Sequence, residues 1–63
     1  MTRFNVGDMV KILPVVPTPF VGLEGSICEV VPHERNITIL DRYIVVFSWG
    51  EKHPFFDAQL SQP

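Results

Sequence analysis

The chain is short of almost everything that usually announces a biochemical task. It carries one cysteine, Cys28, in 63 residues. One cysteine makes no internal disulfide, and no C-x-x-C or H-x-x-x-H spacing joins it to His33 or His53 as a metal site. No apolar run approaches the roughly 18 residues of a membrane span, and the first residues do not follow a secretory-signal pattern. The chain is therefore expected to be cytoplasmic, in a reducing compartment, with no disulfide, metal or cofactor to staple its fold. Positive charge is scarce too: five Lys and Arg stand against seven Asp and Glu, a formal net charge of -2. Arg3, Lys11, Arg35, Arg42 and Lys52 are scattered among acids. Phosphate neutralisation asks for a basic stripe, so tight nucleic-acid binding is disfavoured, although a local patch could assemble on folding. Room for helices is also lacking. Prolines at 14, 17, 19, 32, 54 and 63 leave no clean helical window longer than about a dozen residues.

What fills the gaps between the prolines is β-branched and aromatic. The chain is 46% hydrophobic, ample for one folded domain over residues 1–63 and against disorder. A domain this short buries only roughly 60% of the surface its unfolded chain exposes, so its core is thin. "DMVKIL" (Asp8 to Leu13) predicts a first strand with Val10 and Ile12 on one face. "PVVPTPF" predicts a stiff, extended loop. "GSICEVV" predicts a second strand with Ile27 inward early and Val30 or Val31 inward later, and that change of parity predicts a bulge or bend. "HERNIT" is polar and turn-like. "RYIVVF" (Arg42 to Phe47) is the strongest strand and apolar on both faces. "SWGEKH", with Gly50, predicts a hairpin turn, "PFF" starts a fourth strand, and "DAQL" has the makings of one 3-10 turn. The predicted core is Val10, Ile12, Ile27, Val30, Val45, Phe47, Phe55 and Leu60.

Two of the four glycines, Gly22 and Gly25, precede the second strand. A small barrel closes only if its long second strand bends sharply, and glycine supplies positive φ and leaves no Cβ in the way. These two fit a turn and the start of a strand. A phosphate-cradling loop is the weaker reading, because neither G-x-x-x-x-G-K nor a following helix accompanies them. Gly7 and Asp8 form the turn before the first strand, where the Asp8 carboxylate is placed to accept backbone N–H groups.

Catalysis finds little support. Cys28 lies inside a β run between Ile27 and Glu29, where ordinary packing is the expected role. His33 and His53 sit beside prolines in polar turns and read as surface side chains. Binding is the better class. Phe20, Trp49 and Phe56 are candidate surface aromatics of the kind that dominate interfaces. Phe55 and Phe56 cannot both face one core, because neighbouring strand residues point to opposite faces. The same parity puts Ile44 and Val46 outside if Tyr43, Val45 and Phe47 are inside. An outward Ile44–Val46–Phe56 patch predicts a protein partner or a homodimer.

The order of "F-x-V-G-D-x-V-x-I" (Phe4 to Ile12), "G-L-E-G-S-I" (Gly22 to Ile27), "Y-I-V-V-F" (Tyr43 to Phe47) and "F-F-D-A-Q-L" (Phe55 to Leu60) resembles the small SH3-like barrels. These include the KOW module, the variable chain of ferredoxin–thioredoxin reductase and the small SH3-like protein of photosystem I. The resemblance runs from about Phe4 to Leu60. It implies an all-β antiparallel barrel of four to five short strands with one 3-10 turn near the C-terminus. Compared with the reductase variable chain, a compact proline loop replaces the usual longer insertion before the glycine pair. Few residues follow "DAQL", so a last strand of two or three residues is expected, with an edge that invites another chain. The family grooves lie between loops matching Pro14 to Val21, Pro32 to Asp41 and Asp57 to Leu60. The function implied is a non-catalytic accessory subunit docking on a larger protein. The alternative is a KOW-like nucleic-acid or ribosome-associated module, and charge favours the first.

Overall fold

In a computed structural model, which describes residues 2–15 and 18–63, the alternation of apolar residues resolves into five strands. They are β1 (Met9–Ile12), β2 (Glu24–Val31), β3 (Arg42–Val46), β4 (Lys52–Phe56) and β5 (Leu60–Ser61). All pairings are antiparallel in one sheet of order β4-β3-β2-β1-β5. Single 3-10 turns at Thr38–Leu40 and Asp57–Gln59 interrupt the connections. The all-β class, the 3-10 turn at "DAQ" and the two-residue last strand all follow the sequence expectation. Among the described residues no helix is long and apolar enough to cross a membrane.

One face of the sheet is the core. Val10 and Ile12 of β1, Ile27 of β2, Tyr43 and Val45 of β3, Phe55 and Leu60 are buried together with Phe47 and Phe4. Seven of the eight expected core residues are there, and Val30 packs against the cluster while only partly buried. Its position follows from the bulge. The β2–β3 register shifts between Ile27 and Glu29, so Cys28 has no direct partner and the inward parity passes from Ile27 to Val30. Phe4 and Tyr43 complete the core, with ring centroids 5.4 Å apart edge to face.

Three features fix the sheet's ends. Gly25 is buried opposite Val10. A Cβ there would lie 2.6 Å from Val45 Cγ1 and 2.8 Å from the Val46 carbonyl oxygen, so the neighbouring strand β3 comes too close for any side chain at this position. Gly7 and Gly50 hold positive φ in their turns, as does Gly22, and the Asn5 N–H donates to Asp8 Oδ2 at 2.8 Å. At the other end Arg3 reaches across 54 residues to Asp57. Its Nε donates to Asp57 Oδ2 at 3.0 Å, and its Nη2 donates to the Asp57 and Leu60 carbonyls. The second buried acid, Asp41, accepts the His33 N–H at 2.7 Å. Both carboxylates thus satisfy backbone or guanidinium donors that would otherwise be stranded at the sheet's end.

The proline loop departs from expectation. It is turned at 14–15 and 19–22, with the Leu23 N–H bonded to the Phe20 carbonyl, rather than extended. Val16 and Pro17 lie outside the described residues. The turns swing Phe20 back over the core, a tertiary gain that outweighs the proline preference for extension.

Candidate docking surfaces

The outer face of the sheet is built by register. With Tyr43, Val45 and Phe55 inward, the opposite parity sends three cross-strand rows outward: Val31–Arg42–Phe56, Glu29–Ile44–Pro54 and Ser26–Val46–Lys52. Ile44 at the centre and Val46 beside it are half-buried, and Phe56 is 45% exposed. Of the expected Ile44–Val46–Phe56 patch, Phe56 is exposed, whereas Ile44 and Val46 share its face only half-buried. Shallow grooves of about 260 and 290 Å³ lie on either side of Arg42. The first includes Val31, Pro32 and Leu40, and the second Pro54, Phe56 and Gln59. Arg42 makes no salt bridge among the described residues.

The open edge of β4 is blunted. The Phe47 and Asp57 N–H groups bond to Glu51 and Asp41 carbonyls, which makes these the hydrogen-bonded pairs of the ladder. Counting inward from them, Pro54 and Phe56 fall at positions whose backbone nitrogens face the free edge. Proline has no N–H to offer there, and the Phe56 N–H is already donated to Gln59 Oε1 at 2.7 Å. Only Lys52 keeps an outward donor. A partner strand would find one free donor there, at Lys52, beside the outward carbonyls of Lys52, Pro54 and Phe56, so the edge is poor in donors but keeps its acceptors.

Phe20 and Trp49 do not join that face. They meet at the β3–β4 turn, on the core side of the sheet, around Phe47. The Phe47 ring lies between the other two, 4.9 Å from each centroid and inclined by 16° to Phe20 and 7° to Trp49. His53 leans on Phe20 with centroids 4.4 Å apart. Glu51 ties the corner together: Trp49 Nε1–H donates to its Oε1 at 2.7 Å, and its Oε2 lies 2.6 Å from His53 Nε2. The Trp49 hydrogen bond, and after it that of His53, holds the Glu51 carboxyl below the ordinary glutamate value. Trp49 is nevertheless 55% exposed.

The five candidate contact residues thus fall into two sites. Ile44, Val46 and Phe56 share the outer face, whereas Phe20 and Trp49 share the corner. The 3-10 turn at Thr38–Leu40 packs near that at Asp57–Gln59, as the groove expectation has it, but the proline loop leans toward Phe47 instead. Sequence reasoning missed Ile37, inside the His33–Thr38 stretch read as polar, and Ile39 and Leu40 just after it, all exposed. Their spacing in "NITIL" was the available signal. It also missed Glu51 and His53 as a clasp, though E-x-H on one strand face places the two side by side. Cys28 is half-buried at the bulge, and among the described residues no three His, Cys, Asp or Glu side chains group as metal ligands. A scan against protein-family models and searches of the curated proteins and of the solved structures found nothing that matches this chain.

Proposed function

We propose that the chain is an SH3-like barrel acting as a non-catalytic accessory module, which docks on a larger protein through the outer face of β3 and β4. The observation that carries this reading is the apolar centre of that face, where half-buried Ile44 and Val46 adjoin Pro54 and the exposed Phe56. Among the described residues, β3 packs chiefly against its sheet neighbours β2 and β4. A five-stranded sheet of this size has one core and cannot cover both faces of its central strand. Burying about 400 Å² of apolar surface there would return on the order of 10 kcal/mol gross, at about 25 cal/mol per Å². Loss of translational and rotational freedom takes much of it, which leaves a micromolar contact.

Charge disfavours two of the ways in which a second copy could sit on this face. A two-fold axis along β3 would set Arg42 against its own copy. A two-fold across the strands through Ile44 would set Glu29 against its own. The fitting partner offers apolar side chains at the centre and carboxylates toward Arg42 and Lys52.

A photo-crosslinking residue at position 56, with Val6 as the control position, tests this in extracts of the source cells. The expected result is one protein captured from position 56 alone, whose purified form binds the chain at least about tenfold more weakly after Val46→Lys. Equal capture from both positions, or an unchanged affinity in Val46→Lys, overturns the reading. Sedimentation of the wild type to near-millimolar concentration checks the charge argument. A dimer that Val46→Lys dissolves would replace the foreign partner with a second copy.

A further inference from the structure

We propose that the Trp49–Glu51 corner is a second binding site, separate from the outer sheet face, that takes a guanidinium group such as a partner's arginine side chain. A large aromatic side chain left 55% exposed would ordinarily swing between rotamers. Here the indole lies flat on Phe47, 7° from parallel, with its N–H fixed by Glu51 at 2.7 Å. Glu51 is in turn steadied by His53, and Phe47 is backed by Phe20. The ring is therefore preorganised, and a ligand stacking on it has little side-chain entropy to remove.

Two electrostatic features then choose the ligand. One face of the indole is taken by Phe47, so the other carries its negative quadrupole into solvent. The Glu51 carboxylate lies in hydrogen-bond contact with the ring edge, and its side chain is about half exposed. A cation over the open face meets both attractions. An uncharged apolar group would use only the ring, and a nucleotide that stacked there would bring its phosphate toward a carboxylate. Guanidinium is preferred to ammonium because it is planar, stacks on the ring and is more weakly hydrated. No Lys or Arg among the described residues lies over Trp49, and the one group already on Glu51 besides the indole is His53. Among the described residues the one cation over an aromatic ring is Arg3 on Phe4, with its guanidinium carbon 4.4 Å from the ring centroid. Lys52, beside Glu51 in sequence, belongs to the opposite face of the sheet.

Trp49 is the sole tryptophan, so its indole N–H gives a single reporter signal in a two-dimensional nitrogen–proton spectrum. The probes are capped tetra-arginine, tetra-lysine and tetra-citrulline peptides, titrated to about 10 mM because a side-chain contact of this kind is expected to be weak. Expected is a saturable shift with tetra-arginine, a smaller response to tetra-lysine and almost none with isosteric, uncharged tetra-citrulline. Glu51→Gln should weaken tetra-arginine about fivefold, the loss of one carboxylate's attraction at an exposed site. Val46→Lys should bind tetra-arginine like wild type, which keeps this result independent of the sheet-face reading. The spectrum shows at once whether each variant is folded. An equal response to citrulline, no shift at the highest concentration, or a Glu51→Gln variant that binds unchanged would each overturn the proposal. So would a shift produced by oligouridine and not by arginine.

Discussion

Trp49 and Phe56 are exposed to a similar degree, 55% and 45%, for opposite reasons. Phe56 is outside because Phe55 is inside. It continues a strand whose parity leaves it nowhere else to go, and no ring stacks on it. Trp49 sits beyond the end of β3 at a turn, where no parity rule applies, and three other side chains hold it in one pose. The first is exposure by geometry, offering area to whatever covers the sheet. The second is exposure by construction, offering one oriented surface. Area without orientation suits a broad apolar contact, and orientation without area suits a single anchored group.

The largest test of that comparison uses neighbours in sequence. Phe55→Ala should cost about 3–5 kcal/mol, because it empties the middle of the core. A 63-residue domain holds about 3–9 kcal/mol in total, at roughly 0.05–0.15 kcal/mol per residue, so this variant should be largely unfolded. Phe56→Ala should change stability by less than about 1 kcal/mol. Urea denaturation of the two variants reads both numbers. Comparable losses would mean that Phe56 is packed within the monomer and that the outer face is no free surface.

Gly25→Ala is next in size and acts chiefly at the corner end of β3. Its methyl would lie 2.6 Å from Val45 Cγ1, 2.8 Å from the Val46 carbonyl oxygen and 3.3 Å from Phe47 Cδ1, and none of these nearest atoms belongs to Phe56. Overpacking of this kind costs about 1–3 kcal/mol. Phe47 is the base of the indole stack, so tryptophan emission from the folded fraction should shift as well, with the environment of Phe56 unchanged by nuclear magnetic resonance. If the emission stays put, Trp49 does not depend on Phe47 for its pose.

The two regions also differ in how far the sequence reveals them. Alternation places Phe55 and Phe56 on opposite faces, and the parity change between Ile27 and Val30 places the bulge, because both are local consequences of a period of two. "DAQ" as a 3-10 turn and Pro54 in an edge-tolerant strand are legible in the same way. The corner is not. Phe20 lies 27 positions before Phe47 and arrives through turns in a loop that its prolines would otherwise extend. Arg3 and Asp57 are likewise joined only by the closure of the whole fold. Phe4 belongs to the core although it precedes β1, and nothing in its local pattern separates it from a frayed terminus. Local rules find elements and faces. Contacts between side chains far apart in sequence come from the packing of those elements.

The smallest effect concerns Glu51, and its sign follows from the bonds at the corner. Trp49 Nε1–H, and secondarily His53, stabilise the carboxylate over the carboxylic acid, so its pKa is lower folded than unfolded. A depressed carboxyl contributes stability above its unfolded pKa and loses it as pH falls through the folded one. The group is exposed, so the contribution to global unfolding is small and better read locally. The expected result is that the Trp49 indole N–H signal titrates with an acid midpoint below that of an ordinary glutamate. In Glu51→Gln that titration should vanish and the indole signal should broaden as the ring gains freedom. Titration at the ordinary glutamate position would mean that the 2.7 Å bond is not maintained in solution. Trp49 would then be exposed by mere placement, as Phe56 is, and the distinction between the two regions would be lost.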